Sequence, residues 1–191
     1  MPQNTPRGYT YPLYSDPTNL PAQLQELATD VDADVEALDT TITATLNAPS
    51  ARVESQAPAL GPLPVGANTT LTYTDEIYDN AGMVNLGANN SVITINTPGI
   101  YVLTGYIRIN ANASAAGGVL LRFGSTGALV PEPALASKRV NASTVTRISL
   151  TTLHYAPPGS TPQNISLVVF NNALVNLTAE QWTLAVSRVS A

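Results

Sequence analysis

The sequence has no cysteine, one histidine and one tryptophan, and only 11% of its 191 residues are charged. The missing cysteine excludes disulfides and thiolate metal sites, so stability has to come from core packing or from association. The single histidine, His154 in TTLHYAP, has no Ser/Asp motif beside it, and no G-x-S-x-G, H-E-x-x-H or P-loop occurs anywhere. A structural or surface histidine is expected, with no enzymatic activity and no cofactor. No apolar run is long enough to span a bilayer, and MPQNTPRGYTYPLYSDP lacks the apolar centre of a signal peptide. The expectation is a chain made in the cytoplasm, without membrane insertion. No basic stripe is available to neutralise phosphates, so nucleic acid is not an expected partner.

What is present is unevenly distributed. Hydrophobic residues make up 44% of the chain, ample for a core, and the formal net charge is −5. Residues 1–46 hold seven acids against Arg7, whereas residues 47–191 hold six acids against seven bases. The acidity therefore belongs to the N-terminal part.

Within that part, residues 20–46 read as a helix. Leu24, Leu27, Val31, Val35, Leu38, Ile42 and Leu46 follow one another at steps of 3, 4, 4, 3, 4 and 4, which lays one narrow apolar stripe along one face. Such a 3-4-4 rhythm averages about 3.67 residues per turn and favours a straight or slightly right-handed bundle. At about 1.5 Å per residue it makes a rod of about 40 Å. The stripe needs a partner: a further copy is the simplest, and the chain's own β-rich body is the alternative. Glu26, Asp30, Asp32, Asp34, Glu36 and Asp39, with no base between residues 21 and 46, make the helix weak by itself.

Residues 1–19 read as an extended arm, because Pro2, Pro6, Pro12 and Pro17 remove donors and fix φ. Arg7, Tyr9, Tyr11 and Tyr14 are its candidate anchoring residues, the rings suited to docking along another protein. Residues 48–66, with Pro49, Pro58, Pro62 and Pro64, read as a semi-extended linker, and a head domain is expected over residues 67–191. There LTYT, SVITI, IYVLTGYIRI, GVLLRF, TVTRISLTTLHY, NISLVVF, ALVNL and QWTLAVSRV recur between turn signals. Tyr101, Leu103, Ile107 and Ile109 alternate with Thr104, Tyr106 and Arg108, and Trp182, Leu184 and Val186 alternate with Thr183, Ala185 and Ser187. Short strands without intervening helices predict a mainly β chain with a β-sandwich, of jelly-roll type.

Residues 77–109, IYDNAGMVNLGANNSVITINTPGIYVLTGYIRI, with their Pro98-Gly99-Ile100-Tyr101 turn into a long strand, resemble the globular head of the first complement component and its tumour necrosis factor relatives. The likeness extends over residues 69–189. It implies a jelly roll that associates as a trimer, with the helix as a trimeric stalk. Residues 5–35, TPRGYTYPLYSDPTNLPAQLQELATDVDADV, are similar to the N-terminal segments of minor tail and other virion proteins from phages of actinobacteria. That second resemblance implies a bacteriophage virion fibre or spike, a homotrimer attached through its arm to another virion protein, its head presented towards a host-surface glycan or protein. A capsid decoration or head-fibre protein of the same architecture, and a free carbohydrate-binding adhesin, are the alternatives.

Candidate sites in the head are few. Asp75, Glu76 and Asp79 are weak candidates for calcium, a metal that some complement-type heads bind, although turn residues explain them as well. Tyr101, Tyr106, Tyr155 and Trp182, together with Lys138 and Arg139, are candidates for trimer or ligand contact. Six N-x-S/T sequons follow from a composition rich in Asn, Ser and Thr.

Overall fold

The computed structural model describes residues 3–4, 10–11, 20–56, 62–110, 116–126, 135–141 and 144–190. The chain forms two compact units, Met1–Asn47 and Ala48–Ala191.

The first unit contains β1 (Gln3–Asn4), β2 (Thr10–Tyr11) and α1 (Leu20–Leu46). The helix spans the predicted segment. Its last turn closes with Asn47 N–H donating to the Thr43 carbonyl at 3.0 Å. Thr29, Thr40 and Thr41 turn their hydroxyls back onto the carbonyls four residues earlier, each at 2.9 Å, a local bond that offers helices no net support. The first turn holds no acid and the last no base, so the macrodipole is unopposed at both ends. The arm differs from a fully extended chain: β1 and β2 pair antiparallel, Gln3 opposite Tyr11 and Asn4 opposite Thr10. The prolines at 2, 6 and 12 flank these dipeptides and leave their backbone N–H groups free to pair.

The second unit is all β. Its strands are β3 (Ser50–Gln56), β4 (Asn68–Thr70), β5 (Asp75–Asp79), β6 (Ile93–Ile95), β7 (Gly99–Asn110), β8 (Gly117–Thr126), β9 (Leu135–Val140), β10 (Val145–Ala156), β11 (Gln163–Ala173) and β12 (Thr178–Ser190). Sheet 1 has the order β10-β7-β12-β3-β5; sheet 2 has the order β4-β11-β8-β9, with β6 also on β11. β6 pairs with Gln163–Ile165 and β4 with Val168–Phe170, so the two short strands lie end to end along one flank of β11. All the ladders are antiparallel. From β6 to β12 the chain passes between the sheets at every step except the β8–β9 hairpin, which is jelly-roll order.

Alternation along the strands builds the core. β7 buries Tyr101, Leu103, Ile107 and Ile109, and β12 buries Trp182, Leu184 and Val186, as their period of two predicts. Sheet 2 answers with Leu121, Phe123, Ile165, Leu167 and Val169. Gly105 keeps a gap in β7 open for sheet 2: a Cβ there would stand 2.6 Å from Leu167 Cδ1.

The expected linker over residues 48–66 is corrected. Residues 50–56 are β3, an interior strand of sheet 1 between β12 and β5. Ala51, Val53 and Ser55 point inward and are fully buried, while Arg52 and Glu54 point outward. The alternation is present in the sequence but carried by small residues between prolines. The body therefore starts at Ala48, not at residue 67. Leu63 is fully buried and bridges to Leu177, with Leu63 N–H donating to the Leu177 carbonyl at 2.8 Å. Buried Asn171 reinforces that seam: its Nδ2 donates to the carbonyls of Leu63 at 2.8 Å and Val175 at 3.1 Å.

LTYT at 71–74 is not a ladder strand but the crossing between sheets. Leu71 N–H donates to Leu167 O of sheet 2, whereas Thr74 N–H donates to Ser55 Oγ of sheet 1 at 2.8 Å. Midway, the Thr72 carbonyl accepts from Trp182 Nε1 at 2.7 Å. Tyr73 is buried there, and burial pushes its phenol far above the ordinary tyrosine range.

Candidate association surface

Among the described residues each unit leaves apolar side chains uncovered. On α1 every described member of the stripe is exposed, from Leu27 at 38% to Val35 at 59%. Leu24, Val31, Leu38 and Ile42 are likewise open, while the Leu46 side chain lies outside the described residues. A stripe this continuous presents an adhesive face with charged residues on its flanks.

On the body the open surface is the outer face of sheet 1. Register sets Leu153 opposite Val102 and Tyr155 opposite Ile100, so four apolar side chains form one block at the β10 edge. Leu153 is 68% exposed and Tyr155 60%. Below the block the outer face becomes hydroxylic, with Thr151 opposite Thr104 and Ser149 opposite the half-buried Tyr106. Lower still Arg147 stands opposite Arg108, whose Nε lies 2.9 Å from Glu180 Oε2. Like charges opposite one another in a ladder are unfavourable, and Glu180 relieves one of the two.

The sequence candidates separate on this frame. Tyr155 and Tyr106 lie on the outer face, Tyr155 exposed and Tyr106 half-buried. Tyr101 and Trp182 are corrected: both are fully buried in the core. The Tyr101 hydroxyl donates to the Thr97 carbonyl at 2.8 Å, and the Trp182 indole is held by Thr72, so neither ring reaches a ligand or another copy. Strand parity forces this, since each ring shares its face with the aliphatic residues two positions away. Lys138 and Arg139 are exposed on β9, the edge of sheet 2, where Lys138 Nζ donates across to the Arg147 carbonyl at 3.3 Å. Arg7, Tyr9 and Tyr14 lie outside the described residues; Tyr11 belongs to β2, with its side chain outside the description.

Asp75, Glu76 and Asp79 do not converge. Asp75 Oδ2 accepts from Thr74 Oγ1 at 2.7 Å, while Asp79 accepts backbone N–H groups from Ala81 at 3.1 Å and Val84 at 2.8 Å. Partial burial alone would raise the Asp79 pKa, but backbone hydrogen bonds from Met83, Val84, Ala81 and Gly82 outweigh it and hold the carboxyl below its usual range. Asp79 caps the turn after β5. Among the described residues no group of three or more His, Asp or Glu is placed to hold a metal ion.

His154 is buried, on the inner face of sheet 1. Its Nε2 lies 2.6 Å from Gln163 Oε1; Gln163 Nε2 lies 2.7 Å from Ser160 Oγ, which lies 2.6 Å from the Pro157 carbonyl. That carbonyl only accepts, so Ser160 donates to it and accepts from the Gln163 amide, which turns Gln163 Oε1 to a protonated Nε2 on His154. The relay fastens the turn between β10 and β11.

No protein-family profile and no curated protein matches the chain. Among solved structures it is similar to the globular domain of zebrafish complement 1qA protein. The identity is 15%, the match covers 72% of this chain and 94% of that one, and the TM-score is 0.43. The jelly-roll assignment rests on the strand order above.

The pairing of Leu153 and Tyr155 with Ile100 and Val102 escaped the sequence reading. Its signal was available in part: aliphatic or aromatic residues on the otherwise polar parity of β7 and β10.

Proposed function

We propose that the chain is a bacteriophage virion structural protein, a homotrimeric fibre or spike of the minor tail type. In this reading it is attached to another virion protein by its N-terminal arm, and the jelly-roll head is displayed for contact with the host surface. The observation that carries it is the open stripe of α1 in a chain whose body already has a complete core. A long helix with an uncovered face is stabilised by copies of itself or by a neighbour in an assembly. The likeness of residues 5–35 to virion N-terminal segments supplies the phage context, and the apolar block on sheet 1 supplies a second contact for the trimer.

Light scattering on the purified chain at micromolar concentration tests the association; a trimeric mass is expected, and a monomer with a folded body overturns it. Removing residues 1–20 should leave the head folded and abolish incorporation into particles. Unchanged incorporation refutes arm anchoring.

Tyr155 favours a second reading, a carbohydrate-binding adhesin, because an exposed ring beside Leu153 is a platform for a sugar ring. Glycan-array binding by residues 48–191 without the arm would select it.

A further inference from the structure

The charges of the body are segregated. β10 and β5 are the two edges of sheet 1. At the β10 edge Arg147 is exposed, and Lys138 of β9 reaches it through its bond to the Arg147 carbonyl; Arg139, the next residue of β9, is exposed on the other side of that strand. None of these three cations has an acidic partner among the described residues. At the opposite edge Asp75 and Glu76 are exposed on β5, next to Glu54 of β3, which is itself 3.3 Å from Arg52. Each edge also carries an apolar pair: Leu153 and Tyr155 on β10, Ile77 and Tyr78 on β5.

Register converts this segregation into a geometry. Four antiparallel pairings separate β10 from β5, so the two edges run in the same direction. Followed across the ladders, Asp75 is level with Ser149 and Tyr78 with Thr151. Asp75 thus lies one outward position beyond Arg147 and Tyr78 one outward position short of Leu153, so the spacing is wider on β10 than on β5. Along both edges the charged group comes first and the apolar pair second. A rotation about an axis along the strands keeps that order, so the cationic end of one edge faces the acidic end of the other and their apolar ends face each other, within the reach of long side chains. An edge meeting its own copy would set like charges together.

We infer that the heads associate head to tail: the basic β9/β10 edge of one copy meets the acidic β3/β5 edge of the next, a heterologous contact that closes into a ring. The occupant of each edge is a second copy of this chain. The charges select register and partner, and the apolar pairs supply the contact area. This rests on the homo-oligomer reading above and adds to it which surfaces meet and in which order.

Charge reversal on the full chain tests it, with the fluorescence of Trp182 reporting the fold. K138E/R139E/R147E, and separately D75K/E76K, should each weaken association by about tenfold or more at low salt. The five-substitution swap should restore association to within about threefold of the wild type, because both edges are then inverted together. A second measurement does not depend on those charges. The chain has no native cysteine, so D75C/S149C with a short bis-maleimide should yield covalent trimer, and either single variant should remain monomeric on a denaturing gel. A wild-type oligomer that is indifferent to reversal, or that cross-links in the single variants, overturns the edge pairing and leaves homo-oligomerisation standing. A monomeric wild type overturns both. If that monomer is retained on a polyanion column, the basic edge belongs to an anionic ligand instead of a second copy.

Discussion

In α1 the apolar side chains recur every three or four residues and remain open to solvent, Val35 at 59% and Leu38 at 57%. In β7 and β12 they alternate, and Ile107, Trp182 and Leu184 are fully buried. Both segments carry regular apolar patterns, yet among the described residues only the strands' pattern is covered. A jelly roll brings two patterned faces together, so each strand's apolar side is another strand's environment. A single helix of narrow stripe has no opposite face to use. The difference also appears in composition: residues 20–46 hold six acids and no base, whereas Arg108 of the body meets Glu180 at 2.9 Å. The body closes its own core, and the described stripe of the helix stays open.

That contrast can be broken at the body's centre. Trp182→Ala removes the largest fully buried side chain and its bond to Thr72. It should cost about 3–5 kcal/mol, read as a lowered urea midpoint for the body. A midpoint shift below about 1 kcal/mol would mean the core is not where stability resides. A smaller loss is expected at Gly99, whose φ is 150° and whose added Cβ would stand 2.5 Å from the Ser190 carbonyl. Gly99→Ala should cost about 1–3 kcal/mol, again in the denaturant midpoint.

Asp79→Asn tests the cap at the margin of the body and should cost about 1 kcal/mol at neutral pH through the weakened turn. The folded-state pKa of Asp79 is held low, so its contribution is full above the unfolded carboxyl value of about 4 and is lost as pH falls through the folded value. The gap between wild type and variant should therefore be widest at neutral pH and close as the solution is acidified, measured by denaturation at a series of pH values. The smallest effect sharpens the contrast from the other side. Val35→Ser with Leu38→Ser should leave the body's midpoint unchanged within about 0.5 kcal/mol, while lowering the concentration-dependent helical signal of the full chain. A change in the body's midpoint would show that the helix contributes to its stability.

Much of the sandwich was legible because period-two alternation with large side chains is a strong signal: β7, β10, β11 and β12 all coincide with predicted strands. β3, β5 and β9 were not. In β3 the inward residues are Ala51, Val53 and Ser55, small enough to resemble a linker when prolines flank them. In β5 all but one residue is exposed, so the strand has no apolar period to detect and exists because β3 offers it a ladder. The candidate contacts divide for a related reason. Aromatic identity alone does not distinguish Tyr101 from Tyr155; strand parity does, but only when the partner strand and its register are known.

By itself the sequence determined the helix and its narrow stripe, the concentration of acid in residues 1–46, and the mainly β character of the chain beyond the helix. These features arise from local periodicity and composition, which require no knowledge of neighbours. Only the tertiary structure decided that the body begins at Ala48, that Tyr101 and Trp182 are core, and that basic and acidic residues gather on opposite edges of sheet 1. Those outcomes depend on which strands lie side by side. Hydrogen-bonded pairing joins residues more than a hundred positions apart, as Trp182 and Thr72 are joined, and no local pattern encodes that choice.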